Sequence, residues 1–124
     1  MARDKISGHW GEACAADYLR RKHYKIIACN YHTRFGEIDL IAQQKSMVVF
    51  VEVKTRRNEN YAQAMEFVTN RKQARILASA QIWLENNETS LQPRFDVIEV
   101  YAPEGMATKK PRIIHLEDAF SAKI

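Results

Sequence analysis

In the run VVFVEVK, residues 48–54, a glutamate and a lysine interrupt what is otherwise a wholly apolar strand. Side chains alternate across a strand, so Glu52 and Lys54 face the same way, about 6–7 Å apart, while Val49, Val51 and Val53 face the other way. The segment GEIDLIA, residues 36–42, repeats the theme, with Glu37 and Asp39 on one face and Ile38, Leu40 and Ala42 on the other. A hairpin loop with an even number of residues, such as the four from Gln44 to Met47, sets Asp39 directly opposite Glu52. Opposed side chains stand only about 4.5–5.5 Å apart at Cβ, where like charges destabilise a sheet. Two such carboxylates ask for a cation, and a hard divalent ion that takes oxygen ligands, Mg²⁺ or Mn²⁺, suits them. Lys54 adds a positive charge beside that ion. The set can activate a water and stabilise charge building on a phosphoryl oxygen. A Glu-x-Lys pair alone is more often a solvated ion pair worth about 0–1 kcal/mol. It is the phase of Asp39 on the neighbouring strand that points to chemistry.

Further candidates lie outside the two strands. Glu12 shares a helical stripe with Ala16 and Leu19 and offers a third carboxylate; taken on position alone, an acid near a helix N-terminus is explained by the helix dipole, at about 0.3–1 kcal/mol. Glu37, in phase with Asp39, is expected to pair with Lys54 or to assist the metal. Arg56, Arg57, Arg71, Lys72 and Arg75 follow the carboxylates in sequence, and Lys72 with Arg75 falls on one helix face near its start. There they are suited either to tracking a phosphate backbone or to forming an ordinary solvated surface. His9, His23, His32 and His115 have no metal-ligand spacing and read as structural or surface residues. Trp10 and Trp83 read as packing residues.

The elements that must position these groups can be read from periodicity. Residues 8–22 form a helix ending in the basic cluster Arg20-Arg21-Lys22, which suits the dipole at its C-terminal end. Strands follow at 24–31, 37–42 and 47–54, with a turn at Arg34-Phe35-Gly36 and a polar connection at 43–46. Residues 55–60 form a charged loop. Thr69 caps a second helix whose apolar stripe is Ile76, Leu77, Ala80, Trp83 and Leu84, ending at Asn86-Asn87. A strand at 95–101, a loop at 102–110 and a short strand at 113–116, with a tail through Phe120, complete the chain. The order α-β-β-β-α-β-β is an α/β arrangement rich in antiparallel hairpins.

At 124 residues the chain is long enough for one domain, 1–124, with its own core. The 19 basic and 15 acidic side chains leave a net charge of +4, which mildly favours polyanionic partners. Cys14 and Cys29 have neither zinc nor redox spacing and read as reduced core residues of a cytoplasmic protein. The longest apolar run, residues 47–51, is far too short to cross a bilayer, and no secretory signal is apparent, so no membrane partner is expected.

The pattern as a whole resembles a known family. Glu12, Asp39 and Glu52-Val53-Lys54 resemble the PD-(D/E)xK, or restriction-endonuclease-like, superfamily. More closely, the chain is similar to the YraN-like family, UPF0102, itself distantly similar to archaeal Holliday-junction resolvases. The resemblance runs through Gly8, Gly11-Glu12, Ala15, Ala16, Tyr18, Leu19, Asn30, residues 36–42 and 49–56. It continues through Glu66, Val68-Thr69, Arg71-Lys72 and residues 94–98 to Ala119-Phe120. It implies a mixed central sheet flanked by helices, with Glu12, Asp39 and Glu52 as metal ligands and Lys54 as the catalytic lysine. The implied activity is Mg²⁺- or Mn²⁺-dependent hydrolysis of phosphodiester bonds in DNA, branched DNA included. The alternative is a nucleic-acid-binding module with the same fold and little or no hydrolysis. A homodimer would suit a four-way junction, which presents two equivalent strands. Two departures stand out: Tyr61-Ala62-Gln63-Ala64 where a glycine is usual, and His9 where a basic residue is usual.

Overall fold

The computed structural model describes residues 6–57 and 68–121. Helix α1 (Gly8–Arg21) is followed by strands β1 (Lys25–Thr33), β2 (Gly36–Gln44) and β3 (Met47–Arg56), helix α2 (Asn70–Asn86), and strands β4 (Gln92–Tyr101) and β5 (Arg112–Phe120). This is the α/β order read from the sequence. Glu66, residues 58–60 of the charged loop and the departure at residues 61–64 lie outside the described residues. Thr69, the cap read from the sequence, accepts the Lys72 N–H through Oγ1, and Ser7 Oγ caps the first helix by accepting the N–H groups of His9 and Trp10. Among the described residues, no helix is long and apolar enough to cross a membrane.

The five strands lie side by side in chain order, antiparallel except where β3 and β4 run parallel across the α2 connection. A parallel pair needs such a crossover, and its strands are buried on both faces, so VVFV and FDVIEV are nearly continuous in apolar residues. On one face Ala15, Ala16 and Leu19 of α1 cover Leu40, Val49, Val51, Ile98 and Val100. On the other, Ile76, Ala80 and Trp83 of α2 cover Ile41, Val48, Phe50, Phe95 and Val97. Glu52 and Lys54 continue the Val48–Phe50 side of β3 and therefore stand under the start of α2.

Several details differ from expectation. Lys45 and Ser46 alone make the β2–β3 turn, because Gln44 and Met47 are already paired and Lys45 adopts φ 54°. The turn is still even-numbered, so the register is the one anticipated. Ile38 is buried with Ile41 and Phe50, and not with Leu40 and Ala42. The slip in alternation lies where Asn30, at φ 52°, sits between the pairs Cys29–Leu40 and Tyr31–Ile38. Cys29 is exposed and Cys14 only half-buried, so neither is a fully buried core residue; Cys29 lies on β1, an edge strand. The last strand runs on to Phe120 through an irregularity between Phe95 and Val97, with Asp118 at φ 52°.

Gly11 lets α1 approach the sheet, since a β-carbon there would overlap Thr55 Oγ1. Gly11→Ala is expected to cost about 1–3 kcal/mol of stability through this overlap. Thermal melting would read the loss, and adding Thr55→Ala should recover most of it.

Candidate active site

The β2–β3 ladder runs from Gln44–Met47 to Leu40–Val51, the last pair. Yet β2 continues to Gly36 alongside β1, and β3 continues to Arg56 alongside β4. The sheet forks. At the fork Asp39 Oδ2 accepts the Val53 N–H at 2.8 Å, so a side chain takes a backbone donor that the parted strand leaves open. Asp39 and Glu52, the next positions in register after Leu40–Val51, stand at the root of this fork and are buried, at 7% and 5% exposure.

The fork opens into a cleft of about 840 Å³. Glu12 of α1, Glu37 and Asp39 of β2, Glu52 and Lys54 of β3, and Arg71, Lys72 and Arg75 of α2 line it. All four expected centre residues thus border one space, each delivered by a different reason of local structure. Alternation on β3 turns Glu52 and Lys54 inward, the parted ladder frees Asp39, and the close approach permitted by Gly11 brings Glu12 to the rim.

The electrostatics are those of crowded acids. Burial first, then the Glu52 and Glu12 charges, push the Asp39 carboxyl up to about 8, against the pull of the Val53 N–H and Lys72. One oxygen of Glu12, Oε1, is buried and accepts no hydrogen bond, and His9 Nδ1 lies 3.6 Å from it. Glu52 Oε1 holds two ammonium groups, Lys72 Nζ at 2.5 Å and Lys54 Nζ at 3.6 Å. Burial and the adjacent Lys72 push Lys54 below the usual lysine range. Lys72 is pulled down by burial as well, but the Glu52 carboxylate outweighs that and holds its proton more firmly.

The basic set divides. Arg71, Lys72 and Arg75 all line the cleft, and Lys72, expected on a phosphate track, also sits on the central carboxylate. Arg56 Nε faces Glu99 at 3.9 Å, and the Arg57 guanidinium lies beside Gly105. Glu37 pairs with His32 at 3.2 Å instead of Lys54, because the fork carries β2 away from β3. The sequence reading missed two buried acids on β4, Asp96 and Glu99. Tyr101 O–H donates to Glu99, and Asp96 is gripped by Arg94 and His115.

Oxygen donors alone line the acidic part of the cleft, which is the chemistry of a hard cation. The buried Glu12 oxygen without a hydrogen bond, and the Asp39 carboxyl raised by burial and then by its acidic neighbours, both fit a positive charge there. As the side chains stand, no three acidic, histidine or cysteine groups among the described residues converge into a ready ion cage.

A family model described as uncharacterised protein family UPF0102 matches residues 11–100. The UPF0102 protein of Caldanaerobacter subterraneus is 45% identical over 94% of this chain and 95% of its own length. That of Syntrophotalea carbinolica is 50% identical over 81% of this chain and 83% of its own, and that of Alkaliphilus oremlandii 44% identical over 94% and 99%. The chain belongs to the UPF0102 family, as its motifs from Gly8 to Phe120 imply.

Proposed function

We propose that this member of UPF0102 is a metal-dependent phosphodiesterase acting on nucleic acid, with DNA as the expected substrate. The observation that supports it most is the fork, which gathers Asp39, Glu52 and Glu12 with Lys54 in one cleft rimmed by Arg71 and Arg75. A surface ion pair would need no parted ladder and no buried, mutually repelling acids.

In this reading Asp39, Glu52 and Glu12 would hold Mg²⁺ or Mn²⁺, with Glu52 turning from Lys72 to do so. The ion would supply Lewis-acid polarisation of the scissile phosphate and of the attacking water. Arg71 and Arg75 bind phosphates on either side and fix the strand's path. Lys54, pushed toward its neutral form, takes a proton from the attacking water or, when charged, steadies the phosphoryl oxygens. Lys72 keeps its proton and offsets the acids while the cleft is open.

A second reading has its own support. The Lys72–Glu52 pair already gives the acids a cation, which a binding module without hydrolysis would also need. Cleavage of branched, flapped and single-stranded DNA, with and without Mg²⁺ or Mn²⁺, separates the two. Metal-dependent product, reduced about 10²–10⁴-fold in Lys54→Ala, is expected. Full activity in Lys54→Ala would remove the assignment. Salt-sensitive binding indifferent to metal, with no product, would favour the second reading.

A further inference from the structure

The β1–β2 hairpin carries an exposed aromatic ring on the residue next to those that line this cleft. Arg34 and Phe35 alone form the turn between the paired Thr33 and Gly36. Phe35 is 41% exposed, one of three large apolar side chains left outside among the described residues. The Arg34 guanidinium lies over its ring, 4.8 Å from the centroid. The next two residues, Gly36 and Glu37, already line the cleft, and Arg75 lies beside Gly36.

The turn is fastened from below. Thr33 Oγ1 accepts the Phe35 N–H at 3.0 Å and lies 2.7 Å from Ser79 Oγ, a fully buried hydroxyl of α2. Gly36, at φ 146°, provides a backbone shape that side chains rarely take, and this lets the turn close in two residues. A hairpin tip tied to a helix, carrying an uncovered ring capped by a cation, is built as a platform. Rings with an adjacent guanidinium stack on flat heteroaromatic partners, and a nucleobase is such a partner when it is out of the duplex stack.

We propose that Phe35, with Arg34, is a base-stacking site that selects nucleic acid containing an unstacked base, such as a branch point or flap junction. This rests on the phosphodiesterase reading for its cleft, and deepens it by naming the substrate feature. Asp39 lies four backbone steps beyond Phe35, about 13 Å along an extended strand. In stacked duplex that distance is about four steps of 3.4 Å. The cut therefore falls within about four nucleotides of the captured base.

The test compares a 5′-flap DNA carrying 2-aminopurine at the branch with a linear duplex of the same sequence. Binding is measured in Ca²⁺ by fluorescence for the unaltered protein, Phe35→Ala and Phe35→Trp, with thermal melting as the folding control. Removing one stacking side chain is expected to weaken flap binding about tenfold or more while duplex binding changes less than twofold. Phe35→Trp should keep flap binding and the quenching of 2-aminopurine. Equal loss on both probes, or no loss on either, overturns the proposal. Absence of any binding by the unaltered protein overturns it together with the phosphodiesterase reading. Metal-dependent cutting with Phe35→Ala indistinguishable from the unaltered protein overturns the stacking site alone.

Discussion

Asp39→Asn is expected to make the protein more stable and, at the same time, inert. Asparagine keeps an oxygen to accept the Val53 N–H and removes the charge that Glu52 and Glu12 oppose. The sign follows from the proton count. Asp39 holds its proton in the folded chain up to about 8 but releases it near 3.9 when unfolded. The folded state therefore binds more protons between those values, and this group's contribution weakens the fold steadily as pH rises across that window. Nominally the effect at pH 7 is several kcal/mol. The Lys72 ammonium offsets part of the repulsion, so a gain of about 1–3 kcal/mol at pH 7 is expected for the variant. Melting curves from pH 5 to 8 should fall less steeply for Asp39→Asn than for the unaltered protein. Adding Mn²⁺ should raise the melting temperature of the unaltered protein more than that of the variant, because the variant holds the ion more weakly. Nuclease product should vanish in the variant.

The largest structural loss is expected outside the cleft lining, at Arg94→Ala. Asp96 is fully buried under α1 and survives as an anion through its partners. Arg94 Nε and NH2 donate to its two oxygens at 2.8 and 2.7 Å, the Asp118 N–H donates at 3.0 Å, and His115 Nε2 lies at 2.6 Å. Burial alone would raise this carboxyl, but the bonds from His115, Arg94 and Asp118 hold it below the usual range. Removing the guanidinium leaves a buried charge without its main partner, a loss of about 3–5 kcal/mol. For a chain of this size that lowers the melting temperature by on the order of 10–25 °C. Arg94→Lys should recover little, since an ammonium cannot make the fork-shaped double contact. The pH dependence runs opposite to that of Asp39. Stability from Asp96 is complete above its unfolded pKa near 3.9 and is lost as pH falls through the lower folded value. Acid unfolding of the unaltered protein should therefore be steep below pH 4, and an Asp96→Asn variant should show less of that slope.

The centre was legible because it rests on short-range rules. Strand alternation, an even-numbered turn and a polar residue inside an apolar run were enough to bring Asp39, Glu52 and Lys54 to one face. The same rule applied to FDVIEVY would have exposed Asp96 and Glu99, since both break a buried strand. Arg94 and Tyr101, two residues away on the same face, would have come with them, but His115 and the Asp118 N–H reach Asp96 only once β5 pairs with β4. The Lys72 contact was hidden for a related reason. Helical periodicity tells which way it points from α2, but its contact with Glu52 depends on how α2 docks over the fork. The fork itself is a tertiary event, in which a carboxylate substitutes for a carbonyl and two strands part. Irregular backbone at Asn30 and Asp118 likewise disguised the face of Ile38 and the full length of β5.

The claim beneath all of this is that Asp39 and Glu52 share a single divalent cation. Titrating Mn²⁺ into the protein and following free ion by electron paramagnetic resonance measures that directly, without reference to substrate. One bound ion per chain is expected, weakened at least tenfold in Asp39→Asn and in Glu52→Gln and retained in Lys54→Ala. Failure of the unaltered protein to bind Mn²⁺, or binding that both carboxylate variants leave unchanged, would contradict the account.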